Sequence, residues 1–391
     1  MDPLLRDPRA WGLMLAAMLT IMSNATITPS LPGLQQIFAD NPQAPMLTRL
    51  LITAPSLLVA IIAPFAGGLT DRLGRRKPLL IGMIVYAVAG TAGLYLDSLE
   101  AILASRLALG LGVAAVMTSQ AALVGDYFHG PARGRLLGYQ MAAVNLGGLV
   151  FVSLAGVLAA TDARLPFAIY GLSALLLPPL AAVLPEPARF AGEGGAAAQA
   201  DGAEPGWQLT VAIMSVAAGL TFVIFYAVPT QLPYLLQAEG LTDPRDVGFV
   251  MAAMMLAAAV MSIVSGWLRQ WLGRIGTPVS GYLTMGAGFA GLALGHSLAL
   301  SMVSTALIGA GLGLCMPTFI TTALNVTPGH HRGLVSGLVT AAIFLGQFLS
   351  PLASQPLVAY LGYSGAFGVG AFAFLALAAA LTVTLRRKHH I

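Results

Sequence analysis

Charged side chains are scarce in this sequence. Only 19 lysines and arginines and 15 aspartates and glutamates occur among 391 residues. They make up 9% of the chain, whereas an ordinary soluble domain carries roughly 25%. So few charges cannot cover a water-facing surface, and 57% of the residues are hydrophobic. The composition therefore excludes an ordinary soluble domain and indicates a chain that faces lipid.

Residues that usually carry chemistry are also few. Cys315 is the single cysteine, so no disulfide can form within the chain. The six histidines show no metal-ligand spacing. Gly110-Leu111-Gly112 follows no predicted strand, as a dinucleotide-binding loop would, and no P-loop occurs. We therefore expect no enzyme, no metal and no cofactor. The net charge of +4 is confined to particular loops and indicates no nucleic-acid partner.

Long apolar runs dominate the sequence. A helical span takes about 20 apolar residues, and helices are expected because each span must satisfy its own backbone hydrogen bonds. Twelve runs qualify, numbered here as spans 1 to 12: residues 11–31, 47–70, 78–96, 99–125, 135–158, 165–184, 208–236, 247–270, 276–295, 298–324, 333–357 and 364–385. The sequence thus predicts an all-α membrane protein with twelve transmembrane helices.

Basic residues are distributed unevenly over the predicted loops. Fifteen of the 19 fall on one side of the membrane, in the termini and in the loops that follow spans with even numbers. The other side keeps Arg49, Arg164 and Arg245, while Arg106 lies inside span 4. Because cytoplasmic loops carry the excess of basic residues, both termini are predicted to be cytoplasmic.

An internal repeat relates the two sets of six spans. Gly67, Leu73, Gly74 and Arg75 recur 199 positions later, and the same offset pairs Gly110 with Gly309, Gly112 with Gly311, Arg133 with Arg332, and Gly147 with Gly346. Residues 185–206 are rich in glycine, alanine and acids and are expected to form a flexible linker. We therefore predict an N-terminal bundle at 1–184, a cytoplasmic linker at 185–206 and a C-terminal bundle at 207–391. The repeat also requires span 1 as the partner of span 7, which disfavours a removed signal peptide.

Two segments resemble motifs of the major facilitator superfamily. Gly67-x-x-x-Asp71-Arg72-x-Gly74-Arg75-Arg76 resembles its loop 2–3 motif, and Arg106-x-x-x-Gly110-x-Gly112 its span 4 motif. The segment Thr28-Pro29-Ser30-Leu31-Pro32 is similar to the twelve-span drug:proton antiporters. The resemblance implies two pseudo-symmetric six-helix bundles that rock about a central site. It also implies that Asp71 and Arg75 form a charge network with Asp126 that locks one state. Arg72, Gly67 and Gly74 belong to the same loop.

The sequence departs from the antiporter pattern in two places. None of its acidic residues lies near the middle of a span. Relatives commonly place a carboxylate in span 1, where this chain has Ser23-Asn24-Ala25-Thr26. Span 5 also lacks the family's Gly-Pro pair in 147–156. If protons are coupled to transport, Asp126 or Asp71 must bind them, or the substrate itself must carry the charge.

Polar residues deep in apolar spans are the candidates for a substrate site. Arg106 lies about seven residues inside span 4, where a charge is costly and usually functional. It could couple protons or hold an anionic substrate, or it could simply extend outward to the membrane surface or be held by backbone carbonyls. A substrate cavity is expected to be lined by Asn24, Asn145, Tyr226, Gln231, Phe344 and Gln347, with interhelical hydrogen bonds and packing as the alternative. Asn145 and Gln347 lie near the centres of spans 5 and 11, which the resemblance places opposite each other across the pseudo-symmetry of the two halves.

These features together predict a secondary active transporter that works by alternating access. The favoured function is proton-coupled efflux of a small amphiphilic compound or drug across the bacterial inner membrane. The expected partners are a small-molecule substrate, protons and membrane lipid, and the protein is expected to be a monomer. Export of an endogenous metabolite or siderophore and uptake of an anion are the alternatives. A non-transporting receptor is disfavoured because the sequence contains no soluble output domain.

Overall fold

A computed structural model describes residues 3–65, 74–187, 206–295, 297–328 and 331–388, and within these ranges every regular element is a helix. Short 3-10 helices occur at Pro3–Arg6, Thr28–Ser30, Ala63–Phe65, Ala92–Leu94 and Leu165–Gly171. The α-helices are Pro8–Ala25, Leu31–Ile37, Ala44–Ile62, Arg76–Thr91, Leu99–Tyr127, Gly130–Thr161, Leu172–Val183, Trp207–Phe225, Ala227–Ala238, Pro244–Leu294, Leu298–Val326 and Arg332–Lys388.

Two of these helices are far longer than one membrane crossing. Ten segments of the described residues are long and apolar enough to span a bilayer. The helices Pro244–Leu294 and Arg332–Lys388 contain 51 and 57 residues, about 77 and 86 Å at 1.5 Å per residue. Each is interrupted by one non-helical glycine, Gly273 or Gly362. Residues 276–295 and 364–385, predicted as spans 9 and 12, lie beyond these glycines and are almost entirely helical.

Gly273 has a backbone conformation that other residues avoid. Its φ of 71° and ψ of −175° reverse the chain between spans 8 and 9. A side chain there costs about 1–3 kcal/mol, so Gly273→Ala should lower the free energy of unfolding in mixed micelles by that amount. Gly266→Ala is the control, because Gly266 is helical and an added Cβ meets nothing within 4 Å. An unchanged stability of Gly273→Ala would contradict the expectation.

Proline-rich segments interrupt spans 1 and 7, as the prolines predict. Span 1 stops being α-helical at Ala25, passes through a 3-10 turn containing Pro29, and resumes at Leu31. Span 7 is divided at Tyr226 between Trp207–Phe225 and Ala227–Ala238. Proline removes a backbone donor and clashes with the preceding turn. The two breaks lie at corresponding places in the two halves and leave polar side chains near the centre of the molecule.

The glycines of the repeat are the places where helices approach most closely. A Cβ on Gly110 of span 4 would lie 2.5 Å from the carbonyl oxygen of Pro55 in span 2, and a Cβ on Gly309 of span 10 would clash with the carbonyl oxygen of Met254 in span 8. Since both pairs are related by the 199-residue offset, the halves share one packing geometry. The repeat therefore has a physical cause in the close contact of backbones.

The two halves meet along two pairs of spans. Span 2 packs against span 11, and span 5 packs against span 8. These pairs are equivalent under the repeat, which relates span 2 to span 8 and span 5 to span 11. We call the end of the bundle that carries Arg75 and Asp126 the basic face, and the end where span 1 finishes at Ile37 the opposite face. The interface between the halves lies between these faces.

Candidate functional site

A hydrogen-bonded cluster joins the halves midway along the spans. Asn24 Nδ2, at the break of span 1, donates to Tyr226 Oη at 3.3 Å and to Gln347 Oε1 at 3.1 Å. Ser56 Oγ of span 2 donates to the same Gln347 oxygen at 2.8 Å. Asn24, Tyr226 and Gln347 are buried. Three residues predicted to line a cavity are therefore in direct contact, together with Ser56, and we call these four residues the central cluster.

Arg49 forms a second contact between the halves, although the sequence only counted it among the basic residues on one side of the membrane. It lies in the second turn of the span 2 helix, which begins at Ala44, and only 3% of its surface is exposed. Its Nε donates to Gln231 Oε1 at 2.8 Å, and its guanidinium carbon lies 3.8 Å from the centre of the Tyr234 ring. Thr48 and Tyr234 share a hydrogen bond of 2.9 Å beside it.

The partners of Gln231 extend this contact. Gln231 Nε2 donates to Ser354 Oγ at 3.0 Å and to Gln355 Oε1 at 3.3 Å. Arg49 lies seven residues from Ser56 along span 2, or about 10 Å toward the opposite face. The polar contacts between the halves thus occupy two levels, the central cluster and the Arg49 site. The sequence did not single out Arg49 as a site residue, because an arginine near the end of a span can reach the membrane surface.

Arg106 is fully buried within the first half. Its guanidinium carbon lies 4.5 Å from the ring centres of both Phe167 and Tyr170, and Nη2 donates to the Gly90 carbonyl at 3.1 Å. Tyr170 Oη in turn donates to the Ser23 carbonyl at 3.1 Å, next to Asn24. Arg106 is therefore separated from the interface by aromatic rings but is connected through Tyr170 to the break in span 1.

Two other predicted cavity residues have contacts of a different kind. Asn145 is half-buried, and its Nδ2 donates to the Met141 carbonyl of its own helix at 2.9 Å. Gln347, near the centre of span 11, is engaged instead by Asn24 and Ser56. Phe344 is half-buried and packs against the apolar core.

The basic face carries the part of the predicted charge network that the structure describes. Arg75 Nε and Asp126 Oδ2 form an ion pair of 3.1 Å between the start of span 3 and the end of span 4. Gly74 has a φ of 85°, as a glycine at a chain reversal requires. Gly67, Asp71 and Arg72 lie outside the described residues.

Glu186 joins this network although the sequence assigned it to a flexible linker. Its Oε1 accepts a hydrogen bond of 2.6 Å from the Arg75 backbone nitrogen, and its Oε2 accepts one of 2.9 Å from Arg76. A carboxylate here satisfies free N–H groups at the start of the span 3 helix and interacts favourably with its dipole. A lone glutamate in an acidic, glycine-rich stretch gives no sequence signal for this role.

Removing the Glu186 carboxylate should destabilise the start of span 3. We expect Glu186→Ala to lower the free energy of unfolding by about 1–2 kcal/mol, the usual range for a lost helix cap. Glu186→Gln should lower the free energy of unfolding by a smaller amount, because it keeps one acceptor oxygen. Asp97→Asn is the control, since Asp97 is 94% exposed. Denaturant unfolding measures the effect, and hydrogen exchange of the first amides of span 3 should accelerate only in the Glu186 variants.

The family model described as Major Facilitator Superfamily matches residues 13–351 and 281–390. The chain belongs to the major facilitator superfamily. The resemblance seen in the loop 2–3 and span 4 motifs is thereby confirmed, and the protein is a multi-pass membrane transporter rather than an enzyme. Its all-α fold is that of the superfamily.

Several bacterial efflux proteins are similar to this transporter in sequence. The multidrug efflux protein YfmO of Bacillus subtilis (strain 168) is 27% identical over 400 residues, which cover 99% of this chain and 95% of that protein. Multidrug resistance protein 1 of the same strain is 24% identical over 75% of each chain. The quinolone resistance protein NorA of Staphylococcus aureus is 28% identical over 127 residues, 32% of this chain and 33% of that protein.

Solved structures of transporters share the fold. A D-xylose-proton symporter superposes with a TM-score of 0.78 at 18% identity, covering 96% of each chain. The human organic anion transporter MFSD10 superposes with a TM-score of 0.73 at 19% identity, covering 97% of this chain and all of that one. At such identities the likeness shows the fold alone.

Proposed function

We propose that this transporter exports a small amphiphilic compound by alternating access, in exchange for protons. The observation that carries the proposal is the central cluster, in which Asn24 of the first half hydrogen-bonds both Tyr226 and Gln347 of the second. Polar groups of both halves meet midway along the spans, where a substrate can be reached from either face as the halves rock. The efflux function of YfmO supports export as the direction.

The ion pair on the basic face is the proposed lock of one state. Arg75 and Asp126 hold spans 3 and 4 together, and Asp71 of the same loop is proposed to complete the network. Arg106 is proposed to act as a positioning residue, because Tyr170 links its guanidinium to the break in span 1 that presents Asn24. Asn145, Phe344 and Gln231 are proposed to lie along the path of the substrate.

The proposed orientation places the basic face in the cytoplasm of a bacterial cell, with the transporter in the inner membrane as a monomer. The excess of arginine and lysine at this face supports its cytoplasmic orientation. Residues 1–184 and 207–391 are proposed to be the two moving bodies and residues 185–206 the cytoplasmic linker between them.

Purified protein in liposomes with an enclosed pH-sensitive dye tests the proposal. A panel of amphiphilic compounds is added one at a time, and uptake of the compound is recorded together with the internal pH. We expect at least one compound to produce a proton flux in the direction opposite to its own. Compound movement without any proton flux would overturn the exchange, and no movement of any compound would overturn the export function.

A further inference from the structure

Arg49 places a permanent positive charge between the two halves. An arginine keeps its proton throughout the physiological pH range. The hydrogen-bond partners of Arg49 are neutral: the side-chain oxygens of Gln231 and Gln35, the carbonyl oxygen of Pro45 and the Tyr363 hydroxyl. Within the described part of the chain no carboxylate lies within ion-pairing distance of it.

A buried charge with only neutral partners is costly, and an anion would satisfy it better. Removing a charge from water costs several kcal/mol unless the charge is paired. Hydrogen bonds between a guanidinium and a carboxylate or phosphate are about twice as strong as those between neutral groups, and they form in parallel pairs. Arg106, the other buried arginine among the described residues, is enclosed by Phe167 and Tyr170 inside the first half. Arg49 is therefore the buried positive charge that faces both halves.

An apolar cavity begins on the far side of Gln231. It has a volume of about 90 Å³ and lies among spans 7, 9, 11 and 12. Gln231 and Ser354, which hydrogen-bond each other, are two polar residues in its wall. Apolar side chains make up most of the rest, including Val223, Ile224, Phe289, Leu357 and Phe367. Such an apolar lining suits the hydrocarbon part of a ligand.

We propose that Arg49 binds the anionic head group of a single-chain amphiphile and that the cavity beyond Gln231 holds its hydrocarbon chain. The head group takes the place of the Gln231 oxygen on the guanidinium, so that one neutral hydrogen bond is exchanged for a charge-assisted pair. The proposal rests on the proposed function in taking this amphiphile as the exported compound. It also accounts for the absence of acidic residues from the middle of the spans, because the ligand supplies the negative charge.

Equilibrium binding of radiolabelled dodecanoate tests the proposal directly. The protein is placed in nanodiscs of phosphatidylcholine, and dodecanoate, dodecanamide and dodecyltrimethylammonium compete for the site. We expect dodecanoate to bind about 10- to 100-fold more tightly than the amide, the range for hydrogen bonds to a charged group. The cation should compete least. Equal affinities of the acid and the amide for the unaltered protein would overturn the proposal.

Variants locate the effect at Arg49. Arg49→Gln should remove the preference for the acid, and Arg49→Lys should keep part of it. Arg245→Gln is the matched control, because it removes an exposed positive charge near the opposite face. Ala366→Phe should fill the cavity and weaken dodecanoate at least tenfold while sparing butanoate. If Arg49→Gln does not fold, the preference for dodecanoate over dodecanamide is compared between Arg49→Lys and the unaltered protein. A weaker preference in Arg49→Lys then supports the proposal, and an equal one contradicts it. An acid preference retained in folded Arg49→Gln would contradict the proposal.

The anion could come from a membrane lipid or from a free amphiphile. Replacing half of the phosphatidylcholine with phosphatidylglycerol separates these sources. Weaker dodecanoate binding to the unaltered protein, but not to Arg49→Gln, identifies a lipid head group at Arg49. Unchanged binding identifies a free amphiphile as the ligand. Because the readout is binding, it is independent of the proposed function. Anion binding without transport would overturn only the export function, and transport without an acid preference would overturn only the role of Arg49.

Discussion

Replacing Gln347 with leucine should reduce transport at least tenfold while the protein still folds. The substitution leaves the Asn24 amide and the Ser56 hydroxyl without their shared acceptor. A buried donor without a partner costs about 1–3 kcal/mol. The contact between the halves is thereby weakened by about 2 kcal/mol, which shifts the balance between closed and open arrangements by roughly 30-fold. Transport depends on passing through both arrangements, so the rate falls.

The rate is measured in liposomes after matching the amount of folded protein in each sample. Gln43→Leu is the control, because Gln43 is an exposed glutamine in the loop before span 2. Ser56→Ala should have a smaller effect, since it removes one donor and leaves the acceptor in place. A transport rate of Gln347→Leu equal to that of Gln43→Leu would show that the central cluster has no part in the cycle.

The substitution Gly309→Leu should leave very little folded protein in the membrane. A Cβ on Gly309 already clashes with the backbone of Met254. Backbone atoms cannot move aside as a flexible side chain can, and overpacking alone typically costs 1–3 kcal/mol. We expect a roughly tenfold loss of folded protein, because even 1–2 kcal/mol changes cellular abundance several-fold. Gly110→Leu should behave alike, since Gly110 meets the Pro55 carbonyl in the equivalent place.

Size-exclusion chromatography of detergent extracts gives the yield of folded protein. Gly368→Leu is the matched control, because an added Cβ at this helical glycine meets nothing within 4 Å. The same yield for positions 309 and 368 would mean that spans 8 and 10 separate readily, contrary to the close contact seen here.

The sequence predicted those features of the fold that depend on composition and spacing. Apolar runs located the spans, and prolines located the breaks in spans 1 and 7. The 199-residue spacing of the glycines predicted that the two halves pack alike, because close backbone contacts demand glycine at the same place in each half. Gly273 and Gly362 fall in the gaps between predicted spans 8 and 9 and between predicted spans 11 and 12, and each forms a reversal inside an otherwise continuous helical run.

The site was less predictable, because its contacts join residues far apart in the chain. Arg49 and Gln231 are 182 positions apart, and Asn24 and Gln347 are 323 apart. No local pattern specifies such pairs. Arg49 was not singled out because an arginine in the first turns of a span can reach the membrane surface. Arg106 was placed inside span 4, but the sequence of that span does not indicate the two rings that enclose it, because they come from span 6.

The close glycine contacts have a mechanical consequence. Spans 2 and 4 of the first half, and spans 8 and 10 of the second, touch through their backbones and cannot slide past one another. In the proposed cycle each half therefore moves as a stiff body about the hydrogen bonds between Asn24, Tyr226 and Gln347. A small rotation there moves both ends of a half, because the half does not bend. Under the proposed function, binding energy gained at the centre then opens one face as it closes the other.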